Sequence, residues 1–491
     1  MEKVKNLFKK LITKYRTADI VFKASIWFIC VTIVNNSISL LTQPIINRIL
    51  TVEEVGVYSV YNTWHSIFAI VATFNLYCGV LEVLITKEKE KSNRIVASLS
   101  TLSLIISIVF FGICCIFIKP LSNWLLLKPI YLLVMGATVI AEAIIQFWCV
   151  EKRFLYLYKH YSILMIVLFV VKSIATVALA YALKDDRVLG RILGLCLPSV
   201  LVAIVLLGLI LKKADWKKIT VYWKKAVLFN LPLIPHYLSS ILLASSDKIM
   251  IQRLAGNTEA GLYAVAYTFA GLALIVFTAI NNAYTPFSMS AIREKKYKTL
   301  SEKTNMIVLF SVFFSLGLTL LAPEGLYILG GEEYLKSLDI VPILILGIFF
   351  SSFYFIFSNV EFVYECNKFI FPITLLGAGL NILLNWLFIP RWGYQVAAYT
   401  TLISYIIIAI CHYIASIKIS KEKIYEMKEI MVYLTILLSV SLFSLLLYEV
   451  NRFIRYGCCI LLIALFVLIC IVKGKRVSNP QPEEKAQELE K

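Results

Sequence analysis

The sequence has few of the residues and motifs that catalysis or nucleic-acid binding requires. Charged residues make up 16% of its 491 residues, and there are 4 histidines. It contains no Walker loop, no GxSxG or HExxH motif and no paired acid/base arrangement. The 11 cysteines form no CxxC, and no histidine stands at metal-ligand spacing from them. We therefore expect no enzyme activity, no cofactor and no metal, and any transport would be secondary or passive.

Hydrophobic residues dominate the composition instead. They account for 60% of the chain, and the mean hydropathy is +0.83. Apolar runs of about 20 residues, long enough to cross a bilayer as a helix, recur along most of the sequence. The runs are continuous rather than alternating, which favours helices over a β-barrel. The sequence thus predicts an all-α polytopic membrane protein with about 14 transmembrane helices. The expected spans are 24–47, 57–85, 95–118, 129–150, 161–183, 188–211, 226–252, 260–289, 304–329, 338–361, 369–390, 394–416, 427–448 and 453–472.

The net charge of +18 is best explained by membrane topology. Lysine and arginine concentrate in alternate short loops, which are the cytoplasmic ones under the positive-inside rule. No basic motif lies on a soluble module that could bind nucleic acid. The alternation predicts that both termini are cytoplasmic, including a basic N-terminal segment and a polar tail at 473–491.

A short motif recurs at an offset of 205 residues. The stretch from Arg48 to Val60 can be laid on the stretch from Arg253 to Val265 without a gap. The coinciding residues that we expect to build equivalent turns are Arg48 with Arg253, Glu54 with Glu259, and Gly56 with Gly261. Arg–Glu contacts would brace these turns, and the glycines would allow a turn or close packing.

The offset predicts two parallel six-helix repeats with substrate between them. The N-terminal lobe would be 1–211, a basic cytoplasmic linker 212–225, and the C-terminal lobe 226–416. Helices 13 and 14, at 427–472, have no counterpart in the repeat.

Polar and charged side chains inside the spans are the candidate site residues, because such groups are costly in lipid and often mark a pathway. On the first span they recur at helical spacing, and a similar polar face is present on the seventh. The predicted cavity residues are Asn36, Gln43, Lys172, His236, Ser240, Asp247, Lys248 and Asn281.

Each candidate also has a structural interpretation, which remains open. Asp247 and Lys248 could form a local pair near the interface, and His236 could bond backbone carbonyls freed by the neighbouring prolines. Lys172 could pair between helices with Glu142 or Glu82, and Asn281 could make interhelical hydrogen bonds.

Three motifs resemble a known family. They are Leu231-Pro-Leu-Ile-Pro-His236 followed by Ser246-Asp-Lys248, Gly261-Leu-Tyr-Ala-Val-Ala-Tyr267, and Ile389-Pro-Arg-Trp-Gly393. Together they resemble the Wzx-type oligosaccharide-lipid flippases, the polysaccharide-exporting branch of the multidrug/oligosaccharidyl-lipid/polysaccharide transporter superfamily. The resemblance covers the whole chain.

The resemblance implies a MATE-like pair of lobes that work by alternating access. It implies a polyprenyl-pyrophosphate-linked oligosaccharide as cargo, moved across the bacterial cytoplasmic membrane for capsule, O-antigen or exopolysaccharide assembly. H+ or Na+ as coupling ion and a polysaccharide polymerase as partner are also expected from it. The alternatives are a drug/cation antiporter, a lipid II flippase of the same superfamily, or a non-transporting membrane scaffold.

Overall fold

The computed structural model describes residues 19–366 and 369–478, with side chains as far as residue 472. Every regular element in these residues is helical, as predicted. The predicted N-terminal basic segment before residue 19 and the part of the predicted tail beyond residue 478 lie outside the described residues. The last helix continues past the predicted end of its span at 472 and ends at Ser478.

The helices fall into two sets. The first set is α1 (Ile20–Ile49), α2 (Val52–Thr73), α3 (Val80–Lys87), α4 (Ser92–Ile116), α5 (Ile118–Leu125), α6 (Pro129–Phe154), α7 (Tyr158–Ala182), α8 (Arg187–Leu211), α9 (Trp223–Asn230) and α10 (Ile234–Leu254). The second set is α11 (Asn257–Arg293), α12 (Tyr297–Leu320), α13 (Ala322–Gly330), α14 (Val341–Val363), α15 (Ile370–Trp392), α16 (Val396–Ser420), α17 (Met427–Leu447) and α18 (Arg452–Ser478). Short 3₁₀ segments lie at Lys89–Lys91, Trp216–Lys218, Leu231–Leu233 and Glu332–Ile340.

Within the described residues, thirteen helical segments are long and apolar enough to cross a membrane. They correspond to thirteen of the predicted spans and confirm the fold class. The second predicted span, 57–85, is the exception, and the structure divides it into two helices, α2 and α3, with a break between them. Backbone φ is positive at Phe74 (52°), Asn75 (49°) and Gly79 (72°), so the helix cannot continue through this segment.

The Asn230 side chain accounts for several of the hydrogen bonds to the broken backbone of this span. Asn230, which is fully buried, donates from Nδ2 to the carbonyl oxygens of Phe74 at 3.0 Å and Asn75 at 2.8 Å. The same nitrogen lies 3.3 Å from the carbonyl oxygen of Cys78. Irregular backbone at membrane depth is tolerated where protein groups replace the missing helical bonds. The break is therefore a built feature that ties α9 to the α2–α3 pair.

By its internal contacts the chain divides between Gln252 and Arg253 into a first and a second unit. Most of α10, the predicted seventh span, is grouped with the first unit. For example, the Tyr237 hydroxyl of α10 lies 3.8 Å from the Cys78 sulfur, which also belongs to the first unit. The predicted lobe boundaries, which assign this span to the C-terminal lobe, stay a prediction.

The packing order of the first unit recurs in the second. In the first unit α2 packs on α4 and α6, α4 on α6, and α8 on α6 and α7. In the second unit α11 packs on α12 and α14, α12 on α14, and α16 on α14 and α15. Each helix pair of the first unit corresponds to the pair of the second unit that is formed by the spans six positions later in the chain. A repeated packing order supports the duplication that the 205-residue offset predicts.

The repeated turn begins α2 and α11 in related ways. Thr51 and Glu54 form a reciprocal capping box, with Glu54 Oε2 accepting from the Thr51 backbone N–H at 2.8 Å. At the equivalent position Gly256 has φ of 127°, and the Glu259 carboxylate lies 2.8 Å from where a Cβ would stand. The predicted turn residues Arg48 and Arg253 lie in the last turns of α1 and α10. The Arg48 guanidinium donates to the Pro44 carbonyl oxygen at 3.4 Å.

Candidate functional site

The first unit contains a polar cavity of about 390 Å³. Helix α2 supplies most of its lining residues, α6 and α8 supply others, and Ile241 of α10 and Tyr77 of the broken segment complete the lining. The polar lining residues are Tyr58, Tyr61, Asn62, His65, Ser66, Tyr77, Thr138 and Glu142. A cavity with aromatic walls and a few convergent polar groups is typical of a ligand site.

A charged cluster lies at the wall of this cavity. Lys172 Nζ of α7 is 2.8 Å from Glu142 Oε1 of α6, so the lysine makes the interhelical pair that its structural interpretation anticipated. His65 Nε2 of α2 lies 3.6 Å from Glu142 Oε2, which is too long for a hydrogen bond. The Glu142 side chain is 37% exposed, whereas those of Lys172 and His65 are 15% exposed. The carboxylate is therefore the member of the cluster most accessible from the cavity.

A second cation lies close to the cavity wall at Tyr58. The Arg191 guanidinium of α8 is 3.5 Å from the centroid of the Tyr58 ring, a cation–π contact. Arg191 Nη2 also donates to Gln43 Oε1 at 3.3 Å. Gln43 in turn donates to Asn47 Oδ1 at 3.1 Å. The predicted cavity residue Gln43 is thus connected to a cavity-lining tyrosine through Arg191.

Other predicted residues do not contribute to the lining of this cavity. Asn36 of α1 is exposed. On α10, Ser240 is exposed and its hydroxyl donates to the His236 carbonyl oxygen at 3.0 Å, a bond within the helix. The His236 side chain is partly buried, and its Nδ1 has no hydrogen-bond partner among the described residues.

Asp247 and Lys248 lie near the end of α10. Asp247 is 1% exposed, and Lys248 is partly buried. Both residues belong to the first unit. Their role as cavity residues remains a prediction.

Asn281 belongs to the second unit and lines a different, very small cavity. This space of about 20 Å³ is also lined by Tyr284, Ser311 and Ser352, and it has room for about one water molecule. Asn281 Oδ1 accepts from the Thr285 hydroxyl at 3.1 Å.

The sequence reasoning did not single out His65 or the tyrosines of α2, and it named Glu142 only as a partner for Lys172. An ionisable residue within an apolar run was the available signal for Glu142. It also missed a fully buried pair in the second unit, in which His412 Nδ1 of α16 lies 2.6 Å from Glu361 Oε1 of α14. The structure describes no group of three His, Cys, Asp or Glu side chains that could hold a metal ion.

The helices and the polar cavity define a multi-spanning membrane transporter. A family model described as "Polysaccharide biosynthesis protein" matches residues 21–292, more than half of the chain, and a MatE model matches residues 232–387. The chain belongs to the polysaccharide biosynthesis protein family. The two family models together confirm the predicted superfamily, and the solved structures of similar fold are described as a flippase and transporters.

Among curated proteins, the chain is similar to Lsg locus protein 1 of Haemophilus influenzae. The two are 26% identical over 366 residues, which cover 72% of this chain and 88% of the relative.

Solved structures of low sequence identity share the fold. The lipid II flippase MurJ in an inward closed conformation has a TM-score of 0.63 at 15% identity, covering 93% of this chain and 100% of its own. An inward-facing multidrug resistance MATE family transporter has a TM-score of 0.60 at 15% identity, covering 79% and 95%. A transporter of the same superfamily from Pyrococcus furiosus has a TM-score of 0.54 at 15% identity, covering 84% and 98%.

Proposed function

We propose that this protein is a flippase for a polyprenyl-pyrophosphate-linked oligosaccharide. It would move the repeat unit of a surface polysaccharide across the bacterial cytoplasmic membrane by alternating access. Family membership and the shared fold support transport in polysaccharide biosynthesis. The observation that carries the proposal furthest is the polar, aromatic cavity held within apolar helices. Unpaired polar groups in hydrocarbon cost several kcal/mol, so a water-accessible chamber is the simplest reason to keep them there.

The chemistry of the cavity wall suits part of such a cargo. Tyr58 and Tyr77 are partly exposed and offer ring surface and hydroxyl groups to sugar rings, and Asn62 and Ser66 offer further hydrogen bonds. A volume of about 390 Å³ is in the range of small-molecule sites. The cavity would therefore hold one portion of the oligosaccharide at a time.

The diphosphate of the cargo needs positive charge along its route. Lys172 and Arg191 each contact a residue that lines the cavity, Glu142 and Tyr58 respectively. Lys248 is the further candidate on α10. Because Lys172 is paired with Glu142, it would become available to an anion only when that pair rearranges. Asp247 and the pair itself are the groups we propose for coupling to H+ or Na+.

One observation favours a second candidate, a drug/cation antiporter. Glu142 lines the cavity, whereas its partner Lys172 is more buried and lies behind it. An exposed carboxylate in an aromatic cavity would attract an organic cation. The two functions make opposite demands on this pair, since an anionic cargo needs the lysine and a cationic drug needs the carboxylate.

These opposite demands on Lys172 and Glu142 allow the two functions to be tested against each other. The gene is replaced by variants encoding Lys172→Gln, Glu142→Gln or both changes, with the exposed Lys418→Gln as a matched charge control. Membrane abundance, surface polysaccharide and the leaflet distribution of lipid-linked sugars are measured, together with resistance to cationic drugs. Loss of export with inner-leaflet intermediates in Lys172→Gln, at normal abundance, supports the flippase.

Two results would decide against this function. Normal export by a deletion strain would refute it outright. Unaffected polysaccharide together with drug sensitivity in Glu142→Gln would establish the antiporter in its place.

Location and partners form part of the same proposal. We propose that both termini are cytoplasmic and that a polymerase receives the translocated unit. Terminal fusions to reporters active on only one side of the membrane test the first point. A periplasmic signal from either terminus would reverse the topology.

A further inference from the structure

The loop between α8 and α10 is held against one end of the first unit. We call the stretch from Lys212 to Leu231, which contains the predicted linker 212–225 and helix α9, the basic linker. The Trp223 indole N–H donates to the Ser98 carbonyl oxygen at 3.1 Å, and the Ser98 hydroxyl donates to the Ile219 carbonyl oxygen. The Tyr222 hydroxyl donates to Glu88 Oε2 at 3.1 Å. These bonds fix the basic linker beside the first turns of α4.

The basic linker has the composition of a segment that lies in a membrane interface. It carries six lysines: Lys212, Lys213, Lys217, Lys218, Lys224 and Lys225. Large apolar side chains between and beyond them are exposed, including Trp216 at 59%, Val221 at 63% and Leu228 at 61%. A surface that mixes lysines with exposed aromatic and aliphatic groups binds at the headgroup level of a bilayer.

A cavity of about 210 Å³ opens at the same end of the unit. Its apolar lining residues, which we call its floor, are Val96, Leu209 and Ile210. Its other lining residues, which we call its rim, are Asn93, Trp148, Glu151, Lys152 and Lys213. A lining that combines apolar side chains with charged and polar groups suits the boundary between an acyl chain and its headgroup.

The charges of the rim favour an anion. Glu151 is 4% exposed, and its carboxylate lies 2.6 Å from Lys152 Nζ, so these two charges neutralise each other. Lys152 also lies 5.3 Å from the Trp148 ring centroid, which fixes its position further. The exposed Lys213 then leaves the rim with one net positive charge.

We propose that this cavity binds the phosphate headgroup of an anionic phospholipid, with the glycerol and upper acyl chain on its apolar floor. Lys213 contacts the phosphate, Asn93 hydrogen-bonds the headgroup, and the basic linker closes one side. The site is separate from the cargo cavity and does not depend on which cargo is carried. Bound lipid would hold the basic linker, and with it the Asn230 contact to the broken span, in place.

The experiment uses the full chain purified in a mild detergent and analysed by native mass spectrometry. Phosphatidylglycerol, phosphatidylcholine and inorganic phosphate are titrated separately. We expect tight binding of one phosphatidylglycerol and at least five-fold weaker binding of phosphatidylcholine. Lys213→Gln should weaken phosphatidylglycerol binding about five-fold, because one interfacial lysine contributes about that factor.

The matched control is Lys217→Gln, which removes the same charge from the same linker but does not line the cavity. It should leave the tight site intact. Equal weakening by both variants would show diffuse attraction to the linker and overturn the proposal. Equal binding of the two phospholipids would also overturn it, as would saturation by inorganic phosphate alone. If Lys213→Gln folds poorly, Leu209→Trp, which enlarges a half-exposed lining residue, must abolish the tight site instead.

Discussion

The fully buried Glu361–His412 pair should be the most sensitive electrostatic contact in the second unit. Both side chains are 0% exposed, and the two atoms in contact, Nδ1 and Oε1, are 2.6 Å apart. Within the described residues, Glu361 Oε2 and His412 Nε2 have no hydrogen-bond partner. Among the described residues, neither side chain therefore has another polar partner if the first one is removed.

The expected loss in unfolding free energy follows from the dependence of Glu361 and His412 on each other. His412→Leu leaves a buried carboxylate without compensation, which costs about 3–5 kcal/mol in unfolding free energy. Glu361→Met should cost a similar amount. The double variant removes both desolvation penalties and replaces them with apolar volume, so its stability should lie within about 1 kcal/mol of the parent.

The assay is a double-mutant cycle measured by equilibrium unfolding of the purified chain in mixed micelles. We expect the two single changes to be strongly non-additive, with a coupling free energy of about 2 kcal/mol or more. Lys296–Glu294 is a matched control, because its contact is also 2.6 Å but its side chains are 64% and 49% exposed. Removing either partner of this exposed ion pair should not measurably change the free energy of unfolding. Additive single changes, or a His412→Leu variant as stable as the control, would refute the reasoning.

Three further predictions concern the first unit, with stability measured in the same way. Asn230→Leu removes the donor of the carbonyl groups in the broken span and should cost about 2–4 kcal/mol, and a loss below about 1 kcal/mol would contradict its role. Thr51→Ala removes the α2 capping bond and should cost about 1 kcal/mol, while the conservative Thr51→Ser should be neutral. Burial alone would raise the pKa of Asp186, but hydrogen bonds from Lys128, from Tyr131 and from the Leu189 N–H lower it. Its stabilising contribution should therefore be present above the unfolded pKa of about 3.9 and be lost as the pH falls below it, and Asp186→Asn should abolish that acid dependence.

The spans could be predicted because lipid imposes a simple requirement on them. A helix that crosses hydrocarbon needs about 20 apolar residues, and that signal is local. The break in the second span was not predicted, because the polar residues within 57–85, among them Asn62, His65 and Asn75, do not show where a helix is interrupted. Its stability depends on Asn230, which is distant in sequence, and no local pattern encodes that contact. Gly79 was the one residue in the run whose backbone freedom pointed to an interruption.

The site was predicted less well for a related reason. The sequence located ionisable groups within spans but not the directions in which they face. Lys172 was correctly recognised as needing a cavity or a partner, and Glu142 was named as one possible partner. The helix rotations that place Glu142 rather than Lys172 at the cavity wall arise from the packing of α6, α7 and α8. Several residues that line the same wall, such as Tyr58 and Tyr61, look like ordinary interface aromatics in the sequence.

The carboxylates of Glu142 and Glu361 show why an ionisable residue in a span does not by itself indicate a transport route. Glu142 and Glu361 each lie within an apolar run, and each is paired with a side chain on another helix. Glu142 remains 37% exposed beside a cavity, whereas Glu361 is 0% exposed. A ligand or an ion can reach only the first of them without unpacking the helices. Access from water, rather than the cost of burial, therefore separates the residues that can act on cargo from those that hold helices together. On that criterion the Lys172–Glu142–His65 cluster is a candidate transport site, and the Glu361–His412 pair is a contact that holds α14 and α16 together.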